Sequence, residues 1–370
     1  MYFYEVLLNQ KIPSEVLTYK SELDIVKGSL VKVPLRNKGC FGVILGQLND
    51  NNFDSEKTKI ISETFPYIFT SDQLKLIKII AQNTFNSINI VLDAFLQPLK
   101  LLTKKDWLIL QDQFLVNNSG SDANTTNNTQ QPENALNRAF TGKPQFYIEK
   151  DILVRIIYII RSQININTQK HLFNQEVLVV FPEKKLLDKI LSALKENSEF
   201  NELVSKHNLQ ILNFSGDVSA KSKICVKELV LTESENYNQK IIFTTRSGLF
   251  LPFKNLGQII VIDEANTFYI QEQNSLYYDA RDLAFLTAST FRAGLAFVST
   301  LPSSRLHNFY SKESLGVSLY VSIKNLQKPL KLQLSHRNSK NDNYQLFSDQ
   351  VELAITEKDT NIGYFDSPEE

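Results

Sequence analysis

The 370-residue chain is poor in cysteine: Cys40 and Cys225 stand far apart, and neither belongs to a C-x-x-C pair. A structural zinc site takes about four thiolate or imidazole ligands, and the four histidines, His171, His207, His307 and His336, are scattered singly. No metal ligand set and no zinc module is therefore expected. Charge of one sign is missing as well, because 40 Lys and Arg balance 40 Asp and Glu. A chain coated in basic residues is thereby excluded, and any polyanion-binding face has to be local. No apolar run approaches the roughly 18–20 residues that span a bilayer. The start, MYFYEVLLNQK, has no basic stretch leading into an apolar one. These absences predict a cytoplasmic protein with reduced thiols and no membrane partner.

What is present is an average globular composition, 42% hydrophobic and 22% charged, which excludes wholesale disorder. The length predicts about two or three domains, each able to bury a core. The clearest boundary is the run from Asn117 to Asn134, NNSGSDANTTNNTQQPEN, nearly free of apolar residues. Such a run cannot bury enough surface to offset its ordering entropy, so a flexible linker is expected over 117–135.

Ahead of it, residues 2–8, 16–20, 29–35 and 41–48 are short and rich in Val, Leu, Ile, Tyr and Phe, punctuated by Pro13, Gly28, Pro34, Gly39 and Gly46. This predicts a small β-rich unit. A helix is expected from Ser71, capped by Ser71 or Thr70, with Leu74, Ile77, Ile80 and Ala81 on one face. A second helical stretch is expected near 87–96, and the β-rich domain with its trailing helices is placed at 1–105. Beyond the linker, helices at 150–163 and 184–195 alternate with apolar strands at 176–181, 209–214, 240–245, 258–262 and 295–300. Continuous apolar strands between helices imply a doubly wound parallel sheet, an α/β domain placed at 136–335 with a remnant at 336–370. Its ligand crevice should lie at the carboxyl ends of the strands.

Three of those ends carry polar residues. The strand QIIVI runs into Asp263-Glu264-Ala265-Asn266, KIIFTT into Arg246-Ser247-Gly248, and LAFVST into Leu301-Pro302-Ser303-Ser304. An Asp and Glu at such a tip suit magnesium binding and orientation of an attacking water in nucleotide hydrolysis. Taken alone, acidic residues after an apolar strand are more often solvated loop or helix-cap residues.

The stretch Thr244–Ala288, TTRSGLFLPFKNLGQIIVIDEANTFYIQEQNSLYYDARDLAFLTA, closely resembles the primosomal protein N′ family, the replication-restart DNA helicases of superfamily 2. Phe181-Pro182-Glu183 with Leu186 is similar to a family segment that contacts single-stranded DNA. Ser299-Thr300-Leu301-Pro302-Ser303 is similar to one that couples nucleotide and DNA sites. GSLVKVP (Gly28–Pro34) and CFGVILG (Cys40–Gly46) resemble strands of the family's domain for the 3′ end of DNA.

The resemblance implies a β-rich DNA-binding domain followed by a RecA-like first helicase lobe. Asp263 and Glu264 take the catalytic positions, and Gly142 and Lys143 the phosphate-binding ones. Tyr19, Arg36, Pro182, Glu183, Thr245, Arg246, Ser247, Tyr269, Gln271, Tyr277, Arg281 and Asp282 face DNA. Ser299, Pro302 and Ser303 couple the two sites. ATP and Mg²⁺ are implied only where the motor activity is kept. Forked or single-stranded DNA is the implied partner, with replication-restart proteins beside it. For Tyr277 and Tyr278, stacking on bases and packing into the sheet both remain open.

Several positions depart from the family pattern. A phosphate loop reads G-x-x-x-x-G-K-[ST], but Asn137 stands at the first Gly and Pro144 follows Lys143 in place of the hydroxyl. Proline offers no N–H and biases Lys143 away from helix. Asn266 replaces a family histidine, and Leu17-Thr18-Tyr19 replaces Phe-Asp-Tyr in the end-binding pocket, where Arg36 adds a phosphate contact. After Ser303 only 67 residues remain, so a second lobe and the family's cysteine-rich zinc module are expected to be absent. Together these departures predict a DNA-binding relative without its own unwinding. The alternative is an ATP-dependent 3′-5′ helicase whose second lobe is supplied separately.

Overall fold

Alternation of apolar and polar side chains along four short strands, with a fifth added at the edge, builds the amino-terminal sheet. The computed structural model describes residues 1–12, 14–36, 38–48, 57–119, 144–149, 151–169, 175–230, 239–272, 275–300, 303 and 318–322. Strands β1 (Tyr2–Leu8), β2 (Val16–Ser21), β3 (Ser29–Leu35), β4 (Lys38–Leu48) and β5 (Glu63–Ile68) form an antiparallel sheet in the order β2-β1-β4-β3-β5. Tyr4, Val6, Leu8, Tyr19, Val31, Val33 and Ile44 fill one core, while Leu7, Leu30 and Val43 belong to the core shared with the helices. A strand's two faces divide in this way because its side chains alternate with period two. Gly28 joins β5 to the sheet: its φ of 91° is left-handed, and a Cβ there would lie 2.4 Å from the Phe69 carbonyl oxygen. β5 was not expected from the sequence.

Helices α1 (Ser71–Thr84), α2 (Ile88–Leu99) and α3 (Lys104–Ser119) follow. Thr70 is the N-cap of α1 and forms a reciprocal capping box with Gln73. The expected apolar face is rotated slightly: Gln73, Leu76, Ile77 and Ile80 are buried, whereas Leu74 and Ala81 are only partly so. Gln73 is tolerated inside because its Nε2 donates to the Phe253 carbonyl at 2.7 Å. Helix α3 crosses the boundary expected at 105 and continues through the first three positions of the expected linker. The rest of the linker, Gly142 and Lys143, Pro302, and the segment 336–370 lie outside the described residues.

The second sheet is parallel throughout. It comprises β6 (Gln145–Glu149), β7 (Gln175–Phe181), β8 (Leu209–Phe214), β9 (Gln239–Thr245), β10 (Leu256–Ile262), β13 (Gly294–Ser299) and β14 (Ser318–Ser322), in the order β14-β6-β13-β10-β7-β9-β8. Helices α4 (Ile152–Gln169), α5 (Lys184–Glu196), α6 (Ser198–Lys206), α7 (Ala220–Val230) and α8 (Ala280–Phe291) cover it. One face, with Val177, Val179, Phe243, Ile260 and Val298, packs against Ile156, Ile160, Leu187 and Phe200. The other, with Leu178, Val180, Ile242, Ile259 and Phe297, packs against Val226, Leu229, Leu283 and Ala284, in one cluster that also holds Leu92, Phe95 and Ile80. This is the doubly wound sheet read from the sequence, joined to the amino-terminal domain by a common core. A small antiparallel ribbon of β11 (Ile270–Gln271) and β12 (Tyr278–Asp279) stands apart from both sheets. None of the described helices is long and apolar enough to cross a membrane.

A polar clasp reinforces the joint. Asp106 Oδ2 accepts from the Thr103 N–H at 2.7 Å and lies 2.8 Å from Lys223 Nζ of α7. Lys223 first, then Thr103, holds the Asp106 carboxyl well below its ordinary value of 3.8. A depressed carboxyl contributes stability that is complete above the ordinary value and is lost as pH falls through the folded one. Asp106→Asn should therefore cost about 1 kcal/mol at neutral pH. Its urea midpoint should approach the parent's as pH drops below that ordinary value, so curves that stay parallel to acid pH would discount the clasp.

Candidate nucleic-acid interface

Because β13, β10, β7 and β9 are parallel neighbours, their carboxyl ends share one edge of the sheet. Asp263 closes β10 in the left-handed region, with a φ of 55°, and its N–H donates to the Val298 carbonyl at 2.7 Å. Asn266 Nδ2 donates to Asp263 Oδ2 at 3.0 Å, so the residue replacing the family histidine holds the first acidic group in place. Glu264 is only 3% exposed. Its carboxylate accepts from the Ser303 hydroxyl, and from the Ser303 N–H at 3.3 Å, which ties the end of β10 to the chain beyond β13. The Ser299 hydroxyl is buried and has no hydrogen-bond partner among the described residues.

Beside this pair rises the β11–β12 ribbon, which carries residues that the family resemblance implies to face DNA. Its inner side is locked. The Tyr269 hydroxyl shares its one proton between the Ile262 carbonyl and the Val180 carbonyl, the latter at 3.0 Å, while the ring is fully buried. Arg281 forms a bidentate pair with Asp279, donates to the Glu264 carbonyl at 2.8 Å, and lies 6.0 Å over the Tyr269 ring. Arg246 Nη1 donates to the Phe268 and Ile270 carbonyls.

Tyr269 and Gln271, expected to face DNA, are thus buried, and Arg281 serves the ribbon from within. The physical reason is that a two-strand ribbon must turn one face inward, and the polar tips of Tyr269 and Arg281 find partners there. Tyr277 and Tyr278 differ in burial. Tyr278 packs edge-on against Phe250 at 5.2 Å, and burial pushes its hydroxyl up to about 12. Tyr277 is 57% exposed, as is Phe268.

Of the remaining expected contacts, Pro182 is buried, Glu183 is exposed at the N-cap of α5, and Asp282 is exposed in the first turn of α8. Thr245 and Ser247 bring their hydroxyls within 3.4 Å of each other after β9, half-buried. The Asn86 amide reaches the Tyr277 carbonyl at 3.5 Å, so the turn between α1 and α2 touches the ribbon.

At the far edge of the amino-terminal sheet lies a cleft of about 290 Å³ lined by Leu17, Thr18, Tyr19, Pro34, Leu35, Lys57, Thr58 and Lys59. Tyr19 forms part of its base: the ring is 2% exposed, the hydroxyl donates to the Pro34 carbonyl at 3.2 Å, and burial pushes it up to about 12. Arg36 follows β3 in a left-handed conformation and is exposed. The wall of residues 57–59 was not anticipated. It is held by backbone bonds from Lys20 N to the Lys59 carbonyl at 3.0 Å and from Ile61 N to the Lys20 carbonyl at 2.9 Å.

A magnesium nucleotide fits these residues incompletely. Asp263 and Glu264 are suitable donors at a strand end, but Glu264 is engaged by Ser303, and Pro144, buried at the head of β6, supplies neither hydroxyl nor N–H. Among the described residues no group of three or more His, Cys, Asp and Glu side chains could hold a metal ion.

Comparison with known proteins adds independent findings. Residues 5–97 match the family model of the PriA 3′DNA-binding domain (3′BD). Replication restart protein PriA of Helicobacter pylori strain J99 is 27% identical over 315 residues, covering 85% of this chain and 45% of the relative. PriA of Rickettsia conorii is 24% identical over 319 residues, covering 83% and 44%. PriA of Haemophilus influenzae is 41% identical over 63 residues, covering 17% and 8%. The chain spans a little under half the length of the first two relatives.

Proposed function

We propose, from the premise that this chain is a PriA-like homologue with a 3′BD and a RecA-like lobe, that it binds forked or single-stranded DNA in replication restart. The observation that carries this reading is the coincidence of the 3′BD match at 5–97 with the cleft between β2, β3 and residues 57–59. The exposed rings of Phe268 and Tyr277 add a second contact surface, because aromatic faces stack on bases at about 1–3 kcal/mol each. With a net charge of zero, binding depends on local cations such as Arg36, Lys57 and Lys59.

In this reading the lobe holds DNA without driving unwinding, since Pro144 directly after Lys143 removes the hydroxyl and N–H that a phosphate loop uses. Anisotropy of labelled forked DNA across a salt series is the test. The logarithm of affinity should fall with the logarithm of salt by about 0.9 per phosphate neutralised. No binding even at low salt would overturn the proposal. The helicase reading is favoured by one feature, the acidic pair retained at the end of β10. DNA-stimulated ATP turnover by this chain, abolished in Glu264→Gln, would establish that reading instead.

A further inference from the structure

We propose that Phe85, in the turn between α1 and α2, is a stacking platform for an unpaired base of single-stranded DNA, set beside the exposed Tyr277 of the ribbon. This inference rests on the DNA-binding reading above and names a further residue and a strand form for it. Phe85 is the C-cap of α1, with φ 53° and ψ 27°, in the left-handed region. A side chain as bulky as phenylalanine adopts that conformation at a cost, and glycine is the residue that helix ends favour there. Burial does not offset the cost, because the residue is 96% exposed. Neither local conformation nor packing selects phenylalanine at this position, and strain of that kind gathers where a residue meets a ligand.

The turn is held in place by the next residue. Asn86 Nδ2 donates to the Thr84 carbonyl at 3.0 Å and reaches the Tyr277 carbonyl at 3.5 Å, so Phe85 stands at the joint of the two domains. Two exposed aromatic residues, one from each domain, are thereby brought to one stretch of surface. Their surroundings favour a base over an apolar peptide. Gln82 and Asn83 are exposed, and Thr84, Asn86 and Ser87 are half-buried, so amides and hydroxyls frame Phe85 in place of a contiguous apolar patch. A base presents a π-face to the ring and hydrogen-bonding edges to such neighbours. Lys78, exposed seven residues earlier on the same side of α1, offers a cation to the phosphates of that strand. In a duplex the faces of each base are covered by the stack, so this platform discriminates single strand from duplex.

The experiment measures, with the full chain at constant salt, the anisotropy of a labelled oligothymidylate and of a blunt duplex of equal length. Phe85→Gly should weaken single-strand binding at least about fivefold, the lower end for one stacked base, and leave duplex binding unchanged. Its unfolding midpoint should not fall below the parent's, since glycine suits the left-handed backbone and the side chain removed is not buried. Phe85→Leu, which keeps an apolar side chain without a π-face, should lose as much, whereas Phe85→Trp should keep the parent's affinity. Parent-like single-strand binding by Phe85→Gly, full affinity in Phe85→Leu, or an equal loss on the duplex overturns the inference while the DNA-binding reading stands. So does a lower sedimentation mass of Phe85→Gly with DNA affinity unchanged, which assigns the ring to a contact between two copies of the chain. Failure of the parent chain to bind any DNA overturns the broader reading instead.

Discussion

Phe250→Ala should destabilise the protein by about 3–5 kcal/mol, among the largest effects open to one truncation. The side chain is 5% exposed and ends the 3-10 turn, Arg246–Phe250, that follows β9. Its ring meets Phe95 of α2 at 5.3 Å and Tyr278 of β12 at 5.2 Å, both edge-on at 87°. Edge-on pairs add about 0.5–1.5 kcal/mol each beyond area burial. Three elements distant in sequence therefore lose a common partner: the helix behind the amino-terminal sheet, the turn at the strand edge, and the aromatic ribbon. Guanidinium denaturation measures the loss, and a double-mutant cycle with Phe95→Ala measures the coupling across the joint. A loss below about 1 kcal/mol would mean that the site collapses around the gap and that Phe250 does not bridge the domains.

Which features were legible in the sequence follows from where the constraints act. Strands β7, β9 and β10 are buried on both faces, so EVLVVF, KIIFTT and QIIVI read as apolar runs with little ambiguity. Helix α3 was hidden because its apolar residues are not gathered on one face: Leu110 is buried while Leu108 is 62% exposed. Helix α7 was hidden because it is short and polar at its start, its burial resting on Cys225, Val226 and Leu229. The edge that carries Asp263, Glu264, Arg246 and Ser303 was legible because parallel strands place their carboxyl ends together. The orientation of the ribbon was not, since Tyr269, Gln271 and Arg281 have side chains equally suited to stacking on a base and to satisfying buried carbonyls. Only the three-dimensional course of the chain brings the Val180 and Ile262 carbonyls to the Tyr269 hydroxyl. The lysine wall of the cleft was illegible for a related reason: nothing local in KTK marks it, and it meets Leu17–Tyr19 across some forty residues of chain.

The same distinction gives Arg281 an expected behaviour opposite to that of a DNA contact. Arg281→Ala should cost about 3–5 kcal/mol, because it takes the bidentate guanidinium from a largely buried carboxylate. The Asp279 side chain is 15% exposed, and its carboxylate both caps α8 through the Arg281 N–H at 2.9 Å and takes the bidentate guanidinium. The Glu264 carbonyl loses its donor at the same time. Arg281→Lys keeps the charge but not the planar fork, so it should recover only part of the loss. A phosphate-contacting arginine behaves otherwise: lysine would preserve stability, and alanine would reduce the salt slope of DNA binding by about 1. For Arg281 the expected pattern is a fall in the denaturation midpoint in both variants, with the salt slope of the folded protein unchanged in the lysine variant. A stable Arg281→Ala protein with a reduced salt slope would instead place the guanidinium on DNA and detach the ribbon from the acidic edge.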